Sequence, residues 1–138
     1  MTHYLVVAHQ TADSEELVEK VRELAEDPSA EFTLLIPATP VNHLATWTEG
    51  EAHAVAAKQA ERAQVALEAV GAKIMATQIG DPSPFEAVRD ALLQSSCDTI
   101  VVSTFPLRTS RWLKFDLIHR LERAVHVPIV HVVSHSKS

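Results

Sequence analysis

The stretch that decides the fold is His3-Tyr-Leu-Val-Val-Ala8, an almost unbroken apolar run near the start of the chain. A strand buried on both faces, as in a parallel sheet, has this composition. The segment Asp13-Ser-Glu-Glu16 follows and has the residues of a helix start. Apolar residues at helical spacing then run from Leu17 to Ala25, before Asp27-Pro28. The chain therefore begins with a strand followed by a helix, the repeating unit of α/β proteins.

The same unit recurs along the rest of the chain. Further strands are predicted at Phe32–Ile36, Lys73–Thr77, Thr99–Ser103 and Ile129–Val133. Further helices are predicted from the capping box Thr48–Glu51 to about Val70 with Gly71 as the C-cap, from Ser83-Pro84-Phe85-Glu86 onward, and over Leu117–Val125. Strands that alternate with helices through right-handed crossovers form a three-layer, open, doubly wound sheet. We expect five mainly parallel strands.

Length and charge narrow the class of protein. A chain of 138 residues is long enough for one domain with its own core, which we expect over residues 1–134, with residues 135–138 as a flexible tail. The formal net charge of −6 argues against nucleic-acid binding. No apolar run is long enough to span a bilayer, and the first residues lack the features of a secretory signal. With Cys97 as the single cysteine, these features predict a cytoplasmic protein.

Doubly wound sheets bind ligands beyond the carboxyl ends of their strands, where the strand order reverses. This rule places the candidate site after the first strand, at His9–Thr11, and after the fourth, from Thr104 onward.

Two segments resemble the universal stress protein family. The first runs from Gln78-Ile-Gly-Asp-Pro82 through a helix to Cys97-Asp-Thr-Ile-Val-Val-Ser-Thr104, and the second is Val127-Pro-Ile-Val-His-Val132. The resemblance covers nearly the whole chain and implies a UspA-like fold, of the adenine-nucleotide alpha-hydrolase-like kind, with strand order 3-2-1-4-5. It also implies a homodimer, and Ile129–Val133 is the sheet edge through which we expect two copies to pair.

Many members of that family bind ATP with a glycine-containing loop after the fourth strand, but the corresponding segment here, Ser103–Asp116, has no glycine. Pro106 removes a backbone N–H from it. Asp116 is expected to cap the last helix and to accept the N–H groups that phosphates would use. At the end of the first strand, His9 stands where nucleotide-binding members carry Asp. These departures predict that the ATP site is degenerate.

A counter-argument is the cationic character of this segment. Arg108, Arg111 and Lys114 could hold an anion through their side chains, or could simply face water. Thr104, Thr109 and Ser110 could assist them. The candidate ligand or anion site therefore comprises His9, Thr11, Thr104, Arg108, Ser110, Arg111 and Lys114.

Catalytic and metal sites receive little support from the sequence. His131 and His135 would lie about 13 Å apart on an extended strand, too far to share a metal ion. Asp81 is explained by turn chemistry, and Cys97 by packing. A hydrolase or transferase of the wider nucleotide-binding α/β group is an alternative that lacks a recognisable acid, base or nucleophile pair. We expect a small regulatory or binding protein, not an enzyme, with no metal or cofactor; ATP and AMP are disfavoured.

Overall fold

The computed structural model describes residues 2–39, 49–106, 110, 112 and 116–135. The described strands are β1 (Thr2–Val7), β2 (Ala30–Pro37), β3 (Ile74–Gly80), β4 (Thr99–Thr104) and β5 (Ile129–Val133). The described helices are α1 (Glu15–Leu24), α2 (Glu49–Glu68), α3 (Pro84–Gln94) and α4 (Leu117–Ala124). The alternation predicted from the sequence is confirmed.

The five strands form one sheet in the order β3-β2-β1-β4-β5, and each neighbouring pair is parallel. The order reverses between β2 and β4, on either side of β1. The predicted order and the predicted position of β5 at an edge are therefore both confirmed.

Each face of the sheet has its own apolar core. On one face, Val6 and Leu34 pack with Leu17 of α1 and Leu67 of α2. On the other face, a second cluster brings sheet residues together with α3 and α4; its members include Val7, Val102, Val88 and Leu121. The side chains of a strand alternate between the two faces, so the continuous apolar runs of β1 and β4 supply both cores.

Local signals explain where several helices begin and end. Ser14 and Ser83 are the N-caps of α1 and α3, and each hydroxyl accepts a hydrogen bond from a backbone N–H in the first turn. Beyond α2, Gly71 has a φ of 95°, and the N–H of Ala72 donates to the carbonyl of Leu67. This is the Schellman arrangement that a glycine at this position predicts.

The main difference from the predicted elements is the length of β3, which continues three residues past Thr77 to Gly80. Gly80 pairs with Pro37 of β2, and a Cβ added there would lie 2.7 Å from the Cβ of Ala87. Glycine is needed here because α3 packs directly against the end of β3, which therefore extends to the glycine of the Gly80-Asp81-Pro82 segment.

Candidate functional site

The candidate site lies at the carboxyl ends of β1, β4 and β5, where four of the predicted residues are described. His9, Thr11, Thr104 and Ser110 are all buried. The other three predicted residues, Arg108, Arg111 and Lys114, lie outside the described part of the chain, as does Thr109. The four described residues are therefore polar side chains that are buried in the protein and not exposed to solvent.

A chain of buried hydroxyls joins the segments that follow β1, β4 and β5. Thr11 Oγ1 lies 2.7 Å from Ser103 Oγ, and Ser134 Oγ lies 2.7 Å from Ser14 Oγ. A longer contact of 3.4 Å between Ser103 Oγ and Ser134 Oγ joins the two pairs. All four residues are at most 2% exposed. We call these four residues the hydroxyl network.

The hydroxyl network is anchored in the secondary structure at both ends. Ser14 is the N-cap of α1, and its oxygen accepts the N–H of Leu17 at 3.2 Å. The N–H of Ser14 donates to the carbonyl of Thr11, which turns the chain from β1 into α1. The N–H of Ser134 donates to the carbonyl of Thr104. The chain's own atoms therefore satisfy the polar groups of Ser103 and its neighbours, as buried polar groups require.

Thr104 connects this edge to the side chain of His131. The Thr104 hydroxyl donates to the carbonyl of Phe105 at 2.8 Å, and His131 Nε2 lies 2.8 Å from the same oxygen. A threonine hydroxyl has one hydrogen, so Nε2 must be the donor in the second contact. The His131 side chain is exposed at the sheet edge, yet partial desolvation lowers its pKa and so favours the neutral imidazole.

Asp116 does not cap α4 in the way the sequence predicts. It occupies the N-cap position, but with φ 59° and ψ 38°, and its carboxylate accepts no hydrogen bond from the helix N–H groups. The carboxylate instead lies 2.7 Å from Nδ1 of His119 and 4.0 Å from a guanidinium nitrogen of Arg123. The prediction was wrong because, in this left-handed backbone conformation, the side chain is directed to His119 and Arg123 of α4. Its negative charge still lies at the start of the helix.

The sequence did not single out Ser14, Ser134 or His131 as parts of this site. Ser14 was predicted only as part of the helix start Asp13–Glu16, and its contact with the distant Ser134 was not expected. The first residue of the expected flexible tail, His135, is hydrogen bonded through its N–H to the carboxylate of Glu16. This contact, together with others at the backbone of Glu16 itself, lowers the pKa of that carboxyl group. Pairings across more than a hundred residues leave no local pattern in a sequence.

Other chemistry-bearing residues form no second site in the described part of the chain. No group of three or more His, Cys, Asp or Glu residues there could hold a metal ion. Burial, with a smaller contribution from Asp98, raises the pKa of the Cys97 thiol and so opposes formation of the nucleophilic thiolate. A cavity of about 10 Å³ beside Cys97, bordered by His3, Thr33 and other residues, has room for one water molecule at most. No described helix is long and apolar enough to cross a membrane.

Comparison with known proteins gives matches to solved structures. No protein-family model and no curated protein matches the sequence. A universal stress protein from Archaeoglobus fulgidus is 12% identical with a TM-score of 0.64, and the match covers 96% of this chain and 93% of that one. A universal stress protein in complex with cAMP is 13% identical with a TM-score of 0.65, and the match covers 99% of this chain and 98% of that one.

A third match is a universal stress protein family protein from Arabidopsis thaliana with AMP bound. It is 13% identical with a TM-score of 0.63, and the match covers 99% of this chain and 94% of that one. All three likenesses extend over nearly the full length of both chains. At 12–13% identity they support the same fold but do not indicate the same ligand. The chain therefore has the α/β fold of the universal stress proteins, as its sequence motifs predicted.

Proposed function

We propose that this chain is a cytoplasmic, universal-stress-protein-like regulatory or binding protein that lacks the usual ATP site of that family. The observation that carries this proposal is the hydroxyl network. In a doubly wound fold, a nucleotide would enter at the ends of β1 and β4. Here Thr11 and Ser103 occupy that position and bond to each other at 2.7 Å. A ligand that used either hydroxyl would have to replace this buried bond.

The loop after β4 supports the same proposal. It has no glycine between Ser103 and Asp116, so backbone N–H groups cannot approach phosphate oxygens as closely as a glycine loop allows. The carboxylate of Asp116 stands at the start of α4, where it would repel a phosphate. The Thr104 hydroxyl donates its single hydrogen to Phe105 of the same loop. Each of these features weakens phosphate binding by a different mechanism.

A second candidate function is the binding of an adenine nucleotide or another anion at the same edge of the sheet. Two of the structural matches are complexes with cAMP and with AMP, which favours a small nucleotide over ATP for this alternative. The residues that would hold the anion are the candidate set defined from the sequence, in which Arg108, Arg111 and Lys114 supply the positive charge. Arginine suits this task because its guanidinium contacts phosphate through two hydrogen bonds.

The homodimer implied by the family resemblance is part of the proposal. β5 is an edge strand of a parallel sheet, and its residues other than His131 are apolar. An apolar edge with unpaired backbone groups is a template for pairing with another strand. Two copies could pair β5 with β5 around a twofold axis and form a continuous sheet.

Thermal unfolding with and without ligands tests the binding proposal. A ligand present at 100 times its Kd adds about 2.7 kcal/mol to the unfolding free energy. At roughly 3 °C per kcal/mol for a domain of this size, this corresponds to a rise in Tm of about 8 °C. We expect no rise with Mg-ATP at about 1 mM. A clear rise at low micromolar ATP would overturn the proposal.

The same assay separates the alternative. A rise with AMP, cAMP or sulfate that Arg111→Ala abolishes, and that Lys58→Ala on the exposed face of α2 leaves intact, would establish the anion site instead. If Tm does not rise with Mg-ATP, AMP, cAMP or sulfate, the protein would be expected to act through partners of another kind. For the dimer, light scattering that shows a strict monomer at tens of micromolar would contradict edge pairing.

A further inference from the structure

The edge strand β5 is self-complementary when two copies run antiparallel. It consists of Ile129-Val-His-Val-Val133, five residues with a histidine at the centre. The register that pairs all five residues places Ile129 opposite Val133 and Val130 opposite Val132 of the second copy. His131 is then opposite the second copy's own His131. Apolar residues thus face apolar residues, and the central pair is the only ionisable one.

The faces of the sheet are compatible with this register. Val130 and Val132 pack on the side of α1 and α2, whereas Ile129 packs on the side of α3 and α4. His131 lies on the same side as Ile129, because side chains alternate along a strand. A twofold axis perpendicular to the sheet preserves the two sides. The two His131 side chains would therefore stand next to each other, with Cβ atoms about 4.5–5.5 Å apart.

The hydrogen bonding of His131 leaves one ring nitrogen to respond to pH. Nε2 donates to Thr104 Oγ1, because the threonine hydrogen is already used by Phe105. Protonation therefore adds its hydrogen at Nδ1 and a full positive charge to the ring. Two neighbouring imidazoles can share one such proton as a hydrogen bond. A second proton would place two like charges directly opposite each other.

Among the described residues, no charged side chain forms an ion pair or a hydrogen bond with His131. Its neighbours on β4 are Val102, its partner in the ladder, and Thr104. The helix α1 packs on the opposite side of β5, and its Glu16 bonds to His135. The ionisable residues of α4, on the same side as His131, are all exposed: His119, Arg120, Glu122 and Arg123. Burial is the one cause of the lowered pKa of His131, with no contribution from a charge.

We propose that His131 makes pairing through β5 sensitive to pH, so that two copies associate when at least one imidazole of the central pair is neutral and separate when both are protonated. This inference rests on the proposed homodimer. It adds a regulatory property to that interface, because the position of a single histidine converts acidification into dissociation.

The test is the dimer dissociation constant measured by sedimentation between about pH 8 and pH 5.5. If the dimer excludes one proton that the two monomers bind, Kd rises by up to about tenfold per pH unit below the monomer pKa. Because the pKa of His131 is lowered from about 6.5, pH 5.5 lies less than one pH unit below it, and we expect a rise of several-fold, but less than about tenfold, over this range. His131→Gln keeps a donor for Thr104 and cannot become charged, so its Kd should be independent of pH. His53→Asn, on the exposed face of α2, is the matched control and should retain the wild-type dependence.

A permanent positive charge at position 131 tests the same idea from the other side, because it should oppose pairing at neutral pH as well. His131→Lys should weaken association at every pH in the range, and circular dichroism of each variant checks that the fold is retained. A dimer whose Kd does not change with pH, or a His131→Gln variant that keeps the pH dependence, would refute the role of His131 and leave the homodimer standing. A strict monomer at every pH would instead refute the homodimer itself.

Discussion

Replacing Ser103 by alanine tests whether the hydroxyl network stabilises the fold. The variant loses the bond to Thr11 at 2.7 Å and the weaker contact with Ser134 at 3.4 Å. A hydrogen bond of this kind contributes about 1 kcal/mol, and a buried hydroxyl left without its partner costs about 1–3 kcal/mol. Thr11, at 2% exposed, would be that hydroxyl. We expect Ser103→Ala to lower the unfolding free energy by about 2–3 kcal/mol.

The double variant Thr11→Val/Ser103→Ala makes this prediction specific. Valine has the shape of threonine without the hydroxyl, so the double variant removes both polar groups and leaves neither unsatisfied. Its loss of stability should be smaller than the sum of the two single losses, by about 1–2 kcal/mol. A simple loss of packing would instead make the two effects additive.

Urea unfolding at pH 7.5, followed by circular dichroism, measures these free energies. Ser96→Ala is the control, because Ser96 is exposed, and its unfolding free energy should lie within about 0.5 kcal/mol of the wild type. Additive effects of Thr11→Val and Ser103→Ala, or a Ser103→Ala variant as stable as the control, would show that the two hydroxyls are not paired in solution.

Three other features of the structure give independent predictions. Gly80→Ala should cost about 1–3 kcal/mol, because the new Cβ meets that of Ala87 at 2.7 Å; wild-type Tm would contradict this packing. The Cys97 thiol, whose pKa burial raises, should react with iodoacetamide at pH 8 about tenfold more slowly in the native protein than in urea, and equal rates would contradict its burial. Burial also lowers the pKa of His131, so its contribution to stability is present above about pH 6.5 and is lost as pH falls through the lower folded value. Between pH 7.5 and pH 5.5, the unfolding free energy measured in urea should fall less in His131→Gln than in the wild type. Equal falls would exclude His131 as a source of the pH dependence.

Much of the fold was predictable because its determinants are local. The apolar runs that form β1 and β4, and the serine caps of α1 and α3, depend on residues within a few positions of one another. Gly71 marked the end of α2 for the same reason, since a left-handed residue is needed there and glycine adopts it without strain. The strand order came from family-like motifs, and the sheet confirms it.

The place of the candidate residues in the sheet was predictable, but their hydrogen-bond partners were not. Parallel strands place their carboxyl ends at one edge, so His9, Thr11 and Thr104 were expected there from the topology. Asp116 shows the limit of local reasoning, because an aspartate before a helix favours a cap, whereas its actual backbone conformation directs it to His119. Arg108, Arg111 and Lys114 remain predictions of the sequence.

The sequence by itself determined which segments become strands and helices, because hydrophobic period, caps and turn residues act over short distances. Tertiary structure decided which polar groups meet. Thr11 is separated from Ser103 by 92 residues and Ser14 from Ser134 by 120, and neither pair has a sequence signature. The folded sheet brings these hydroxyls together at one edge, where burial makes each dependent on the others for its hydrogen bonds.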